Sequence, residues 1–213
     1  MESQVIIIFQ LVVFIFSVMI HEISHGAIAL RLGDSTAKDA GRLTLNPLKH
    51  IDLFGSILLP LFLVLVNSPF LFGWAKPVPY NPLRLRDPKR GAGIIAAAGP
   101  LSNLLVAAFF AVAYRFISAL ENAPAFGTLG ILMGSIVAVN IVLAVFNLIP
   151  IPPLDGSGVL FSVLPNRFYP VEEFLSRFGM YILLFLMFSG SLDIIRPIAQ
   201  VLYNFFLGVP ISF

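Results

Sequence analysis

Five apolar runs, at about 4–31, 53–73, 92–120, 128–149 and 178–210, fill most of this chain and decide its solvent. A helix needs about 20 apolar residues to cross a bilayer core. Runs one, three and four are that long and end at recognisable breakers. Run two carries Pro60, Asn67 and Pro69, which disfavour a straight helix. Run five is interrupted by "SGSLDIIRP" (189–197), which predicts a short helix followed by a second, tilted or interfacial one. Only 11% of the residues are charged and 58% are apolar, where a soluble domain has about a quarter charged and half apolar. The mean hydropathy is +0.95. So little polar surface cannot cover the chain in water. The expected fold is an all-α polytopic membrane protein with about 4–6 membrane segments, embedded in a lipid bilayer.

Further limits follow. A net charge of +2 does not suggest a nucleic-acid partner, and the absence of cysteine excludes disulfides and thiolate metal sites. The first run lacks a basic flank before it and a small-residue cleavage site after it, so 4–31 is read as a retained helix. No stretch is long and polar enough for an added soluble domain, and 1–213 is read as one domain.

The basic residues give an orientation. Arg31, Lys38, Arg42 and Lys49 lie between runs one and two; Lys76, Arg84, Arg86, Lys89 and Arg90 lie between runs two and three. "ENAPAFG" (121–127) has no Lys or Arg, while Arg167 and Arg177 follow run four. Every loop agrees with basic residues inside if 53–73 is a re-entrant hairpin that turns near Pro60 or Asn67. Backbone at that depth must be satisfied by protein or by a wet cavity. The first helix then runs from outside to inside.

Within that helix stands "HEISH" (21–25). His21 and His25 are four apart and share one helix face. With Glu22 between them, the spacing suits two imidazoles on one Zn2+ and a carboxylate beside the open position. By composition the pattern arises by chance in roughly one chain in a thousand of this length. A buried His can be a plain hydrogen-bonded core residue, but two His and a Glu in one membrane helix favour a functional reading. Zinc wants a third protein ligand, and His50, Asp52, Asp155, Asp193 and loop carboxylates are candidates. The bland reading of Asp155, in "NLIPIPPLDGSG" (147–158), is an ordinary loop aspartate after a proline stop. Orientation argues otherwise. The histidines lie about 9–15 Å below the inner interface, and run four ends on that same side. His50, in "NPLKHID", reads as a solvated loop residue; Asp193 and Arg196, three apart, read as a helix-surface pair. Arg115 can snorkel to the outer interface.

HEISH (21–25), GPLSN (99–103) and NLIPIPPLDG (147–156) together resemble the signature motifs of the site-2 protease family, intramembrane zinc metalloproteases, over roughly residues 15–160. The resemblance implies one Zn2+ per chain held by His21, His25 and Asp155, with Glu22 as general base. It also implies that Asn147 holds the scissile peptide or its oxyanion, with Asn103 nearby. "GWAKPVPYNP" (73–82) resembles a segment of a compact branch without PDZ or CBS domains, which implies a prokaryotic cell membrane; the basic flanks put the active site toward its cytoplasmic half. The implied partners are membrane proteins whose transmembrane segments are cut.

The chemistry has a physical reading of its own. Glu22 can take a proton from water and pass it to the leaving amine. The amides of Asn103 and Asn147 can donate to a developing oxyanion. Against this, Asn103 reads equally as part of a small-residue helix interface, and Asn147 as a helix-end cap. An unwound substrate could pair with an extended edge at Trp74, Ala75, Lys76, Pro77 and Val78, although a proline-rich surface linker is the plainer account. The alternative function is a membrane zinc-binding or transport protein that uses the same ligands without proteolysis.

Overall fold

The computed structural model describes residues 2–58, 61–62, 65–66, 75–120 and 126–208. Every regular element among them is helical: α1 (Glu2–Arg31), a single turn α2 (Thr36–Asp39), α3 (Pro88–Leu120), α4 (Phe126–Asn147), α5 (Asp155–Val163), α6 (Tyr169–Phe188) and α7 (Ile195–Leu207), with 3-10 turns between some of them. Among the described residues three helices are long and apolar enough to span, Val5–Arg31, Pro88–Ala119 and Gly127–Asn147. The chain is an all-α membrane protein. Asn166–Phe188 and Ser191–Leu207 form a bent pair, broken by 84°. Gly190, at φ +72°, makes that corner, and the interruption at 189–197 is therefore a real break in run five. The first of the two helices begins earlier than the apolar run does.

Helices α1, α3 and α4 form the core. Ala107 and Ala111 of α3 meet Val137 and Ile141 of α4, and Ala199 and Leu207 of α7 close the cluster. In lipid there is no hydrophobic drive between helices, so small residues that allow close backbone approach do the packing. The outer face of α3 is Leu105, Phe109, Val112 and Phe116, all exposed at helical spacing, as a lipid-facing stripe should be. Where α3 meets α5, a Cβ on Gly158 would lie 2.8 Å from the Ala96 side chain, and one on Gly93 would collide with Ser162.

The end of α1 is tied down by Asp34, which is fully buried. Its carboxylate accepts from the Thr36 backbone N–H at 3.0 Å and hydroxyl, and from the Asn81 N–H at 2.6 Å. Burial alone would raise the Asp34 carboxyl, but Thr36, Asn81 and the Arg84 guanidinium hold it below the ordinary carboxylate range. The loop before α3 is thereby fixed against the C-terminal end of α1.

Of run two, Leu53–Leu58 forms one wide π-helical turn, whose Gly55 N–H is held by the Asp52 carboxylate at 2.6 Å. The expected hairpin turn at Pro60 or Asn67 lies outside the described residues, as does Trp74. Two expectations change. His50 is buried, 3% exposed, because its ring pairs with the Thr44 carbonyl at 2.8 Å. Asp193 sits in the 3-10 turn Ser191–Ile194 ahead of α7, so its spacing to Arg196 is not that of one helix and the two make no ion pair. Arg115 donates to the Phe205 carbonyl and so covers the carboxyl end of α7, where a cation suits the helix dipole.

Candidate metal centre

His21 and His25 project from α1 toward the start of α5. His21 Nε2 lies 2.9 Å and His25 Nε2 3.3 Å from Asp155 Oδ2. Their potential ligand atoms all fall within 4.8 Å of one another, and this is the one such group among the described residues. Asp155 reaches the site because the chain turns sharply after α4 and Asp155 opens α5. Gly156 permits that return. A Cβ there would run into the backbone of Leu148 and Ile149. Gly156 and Gly158 act by close approach inside a helix, since neither has a positive φ.

The hydrogen-bond network fixes which ring nitrogens carry protons. His25 Nδ1 is 2.7 Å from the Ile95 carbonyl, which can only accept. His21 Nδ1 is 2.7 Å from Asn103 Oδ1, which can only accept. In the neutral rings both Nε2 atoms therefore present lone pairs to Asp155 Oδ2. That oxygen is buried and receives no hydrogen bond. Three acceptors converge with no proton among them, which is the donor set of a cation site. Two imidazoles and one carboxylate fit Zn2+ with a fourth position left open.

Gly99 on α3 keeps that space clear. A Cβ there would lie 2.5 Å from His25 Nε2 and 2.6 Å from His21 Nε2. Gly99→Ala should weaken zinc binding by about 10–100-fold, the range seen when support around a ligand is displaced. Metal analysis after dialysis against a chelator series checks this. Wild-type zinc content in the variant would mean that the histidines approach the metal from elsewhere.

Glu22 is half-buried and accepts from the Val78 N–H through Oε2 at 2.9 Å, so segment 75–80 crosses directly over it. Arg42, itself buried, holds that segment by donating to the carbonyls of Lys76 at 2.6 Å and Pro77 at 3.3 Å. Lys76 N–H donates to the His50 carbonyl at 2.9 Å. With those groups engaged, and with Pro77 and Pro79 lacking an N–H, residues 75–78 offer no regular ladder to an incoming strand. They form a strap over Glu22. Asn147, at the end of α4, donates to the Leu143 carbonyl at 2.9 Å. One amide hydrogen and the amide oxygen remain for another partner.

Asn103 is fully buried. Its Oδ1 faces His21, and its Nδ2 donates to the Ser17 carbonyl at 3.2 Å and to Asn140 Oδ1 at 2.9 Å. Both amide hydrogens are engaged, so as placed it has none for an oxyanion, and its oxygen faces His21. Sequence reading missed Ser17, Asn140 and Arg42. The signal for the first two was available, since polar residues inside apolar runs one and four are exceptions that need partners.

The sequence pattern of Peptidase family M50 matches residues 116–189. The chain is 39% identical over 160 residues to "Putative zinc metalloprotease YwhC" of Bacillus subtilis, covering 74% of this chain and 69% of that protein. It is 29% identical over 192 residues to "Putative zinc metalloprotease Rip2" of Mycolicibacterium smegmatis, covering 90% of this chain and 70% of the relative. No solved structure matches.

Proposed function

This chain belongs to peptidase family M50, the site-2 proteases, and we propose that it hydrolyses a peptide bond within or beside a transmembrane segment of a membrane protein, with Glu22 as general base. It is a zinc metalloendopeptidase embedded in the membrane. The observation that carries the proposal is the convergence of two imidazole lone pairs and one orphaned carboxylate oxygen, one helix position from a second carboxylate. Zinc held there supplies Lewis acidity, polarising the scissile carbonyl and making water more acidic.

The other steps belong to the chain itself. His21, His25 and Asp155 hold the metal. Glu22 takes a proton from the attacking water and returns it to the leaving amine. The strap fixes one carboxylate oxygen through Val78 N–H and leaves the other for that proton. Asn147 donates its remaining amide hydrogen to the substrate backbone or oxyanion. Ala75, Lys76 and Pro77 line the substrate path with their side chains, while Val78, whose side chain is buried beside Gly26, serves through its backbone N–H.

Zinc-loaded protein in detergent should cut a membrane-segment peptide, and chelator-treated protein should not; equal cleavage by both would remove zinc from the reaction. The site belongs in the cytoplasmic half of the bilayer. Single cysteines placed at Lys38 and Arg86, in a chain with no native cysteine, should both react with an impermeant thiol reagent from the cytoplasmic side. Labelling from opposite sides would add a crossing between them and invalidate that placement.

A further inference from the structure

We propose that Asn140 is a positioning residue for the metal: it locks the amide of Asn103 and so fixes the His21 ring in the form that can ligate zinc. The inference rests on the zinc-site reading above.

The two histidines are held differently. His25 is held by a backbone carbonyl, which cannot turn over. His21 is held by a side-chain amide, which can rotate by half a turn and present its NH2 in place of its oxygen. A flipped Asn103 would donate to His21 Nδ1. The ring would then need a lone pair at Nδ1 and a proton at Nε2, and an Nε2–H cannot bind a metal.

Asn140 prevents this. Its Nδ2 lies 2.9 Å from the Ile136 carbonyl, which can only accept, so the amide orientation of Asn140 is set by backbone. The same Nδ2 donates to Ser17 Oγ at 2.9 Å. Asn140 Oδ1 is thereby turned to Asn103, where it demands a donor. The Ser17 carbonyl demands one too. A flipped Asn103 would bring its oxygen against both oxygens in a site where Asn103 and Asn140 are fully buried. Unpaired acceptors in such a site are expensive. The relay thus runs from the Ile136 backbone through Asn140 and Asn103 to His21, and from there to the zinc position. Helical register explains why these residues meet. Ser17 is one turn before His21 on α1, and Asn103 is one turn after Gly99 on α3.

The test is a double-mutant cycle on zinc affinity, measured by competition with a chromophoric chelator. Asn140→Leu should weaken zinc about 10–100-fold, as loss of ligand support does. In an Asn103→Leu background the same change should have almost no further effect, because the relay is already cut. Effects that simply multiply would mean that Asn140 acts by general packing, and would overturn the proposal. Ser17→Ala, a smaller change, guards against misfolding. It leaves the Ile136 bond and should weaken zinc by less than Asn140→Leu; an equal or larger loss would place the lock at Ser17 and not at Asn140. In the zinc-loaded wild type, 15N spectra should show His21 bound through Nε2 with a proton on Nδ1, and binding through Nδ1 would overturn the relay. His21→Ala separates the two levels. If it loses zinc while Asn140→Leu keeps wild-type affinity, the relay fails and the site stands. If His21→Ala keeps zinc, the site reading itself fails.

Discussion

Glu22→Gln should lower turnover by at least about 10²–10⁴-fold, the contribution typical of a positioned general acid–base, with zinc content unchanged. The substitution discriminates well here because of the strap. Val78 N–H donates to Glu22 Oε2, and a glutamine carbonyl accepts that bond equally. The strap stays in place, Arg42 keeps its two carbonyls, and only the proton acceptor is lost. If Glu22 served merely to anchor 75–80, Glu22→Gln would cut substrate at near-normal rate and Glu22→Ala would not. That pattern would remove Glu22 from the chemistry. Loss of activity in both variants, at full zinc occupancy, is the result expected. Asn147→Asp should be at least as damaging as removal of an oxyanion donor, about 10²–10³-fold, because it puts negative charge where negative charge develops. Near-normal cleavage by it would leave Asn147 as a helix-end cap.

Asp155→Ala is expected to abolish the stabilisation of the protein by zinc. A ligand that binds only the folded chain stabilises it by about 4 kcal/mol at a thousand times its dissociation constant. In the wild type that increment should appear as a rise in melting temperature when zinc is added in detergent, and disappear with chelator. The variant, left with two imidazoles, should show little of it at the same zinc concentration. Equal stabilisation of both proteins by zinc would take Asp155 out of the ligand set.

Residue order alone determined the membrane setting, the all-helical class and the identity of the histidine pair. These depend on local quantities: run length against bilayer thickness, and the four-residue step that puts His21 and His25 on one face. Motif and orientation pointed to Asp155 as the third ligand, but the path that delivers it was not legible, since a proline-rich stop followed by Asp-Gly looks like an ordinary loop. What brings it to the histidines is a close backbone approach at Gly156, and close approach has no signature in a single chain beyond the glycine itself. The hydrogen-bond partners of Asn103, Asn140 and the 75–80 segment were decided by tertiary structure alone. An amide in an apolar helix announces that it needs partners, but which donors and acceptors meet it depends on how α1, α3 and α4 pack. That packing turned Asn103 from a possible oxyanion donor into the partner of His21. It also turned a possible substrate edge into a strap whose Lys76 and Val78 N–H groups and Lys76 and Pro77 carbonyls are already bonded, because Arg42, His50 and Glu22, remote from it in sequence, converge on its backbone.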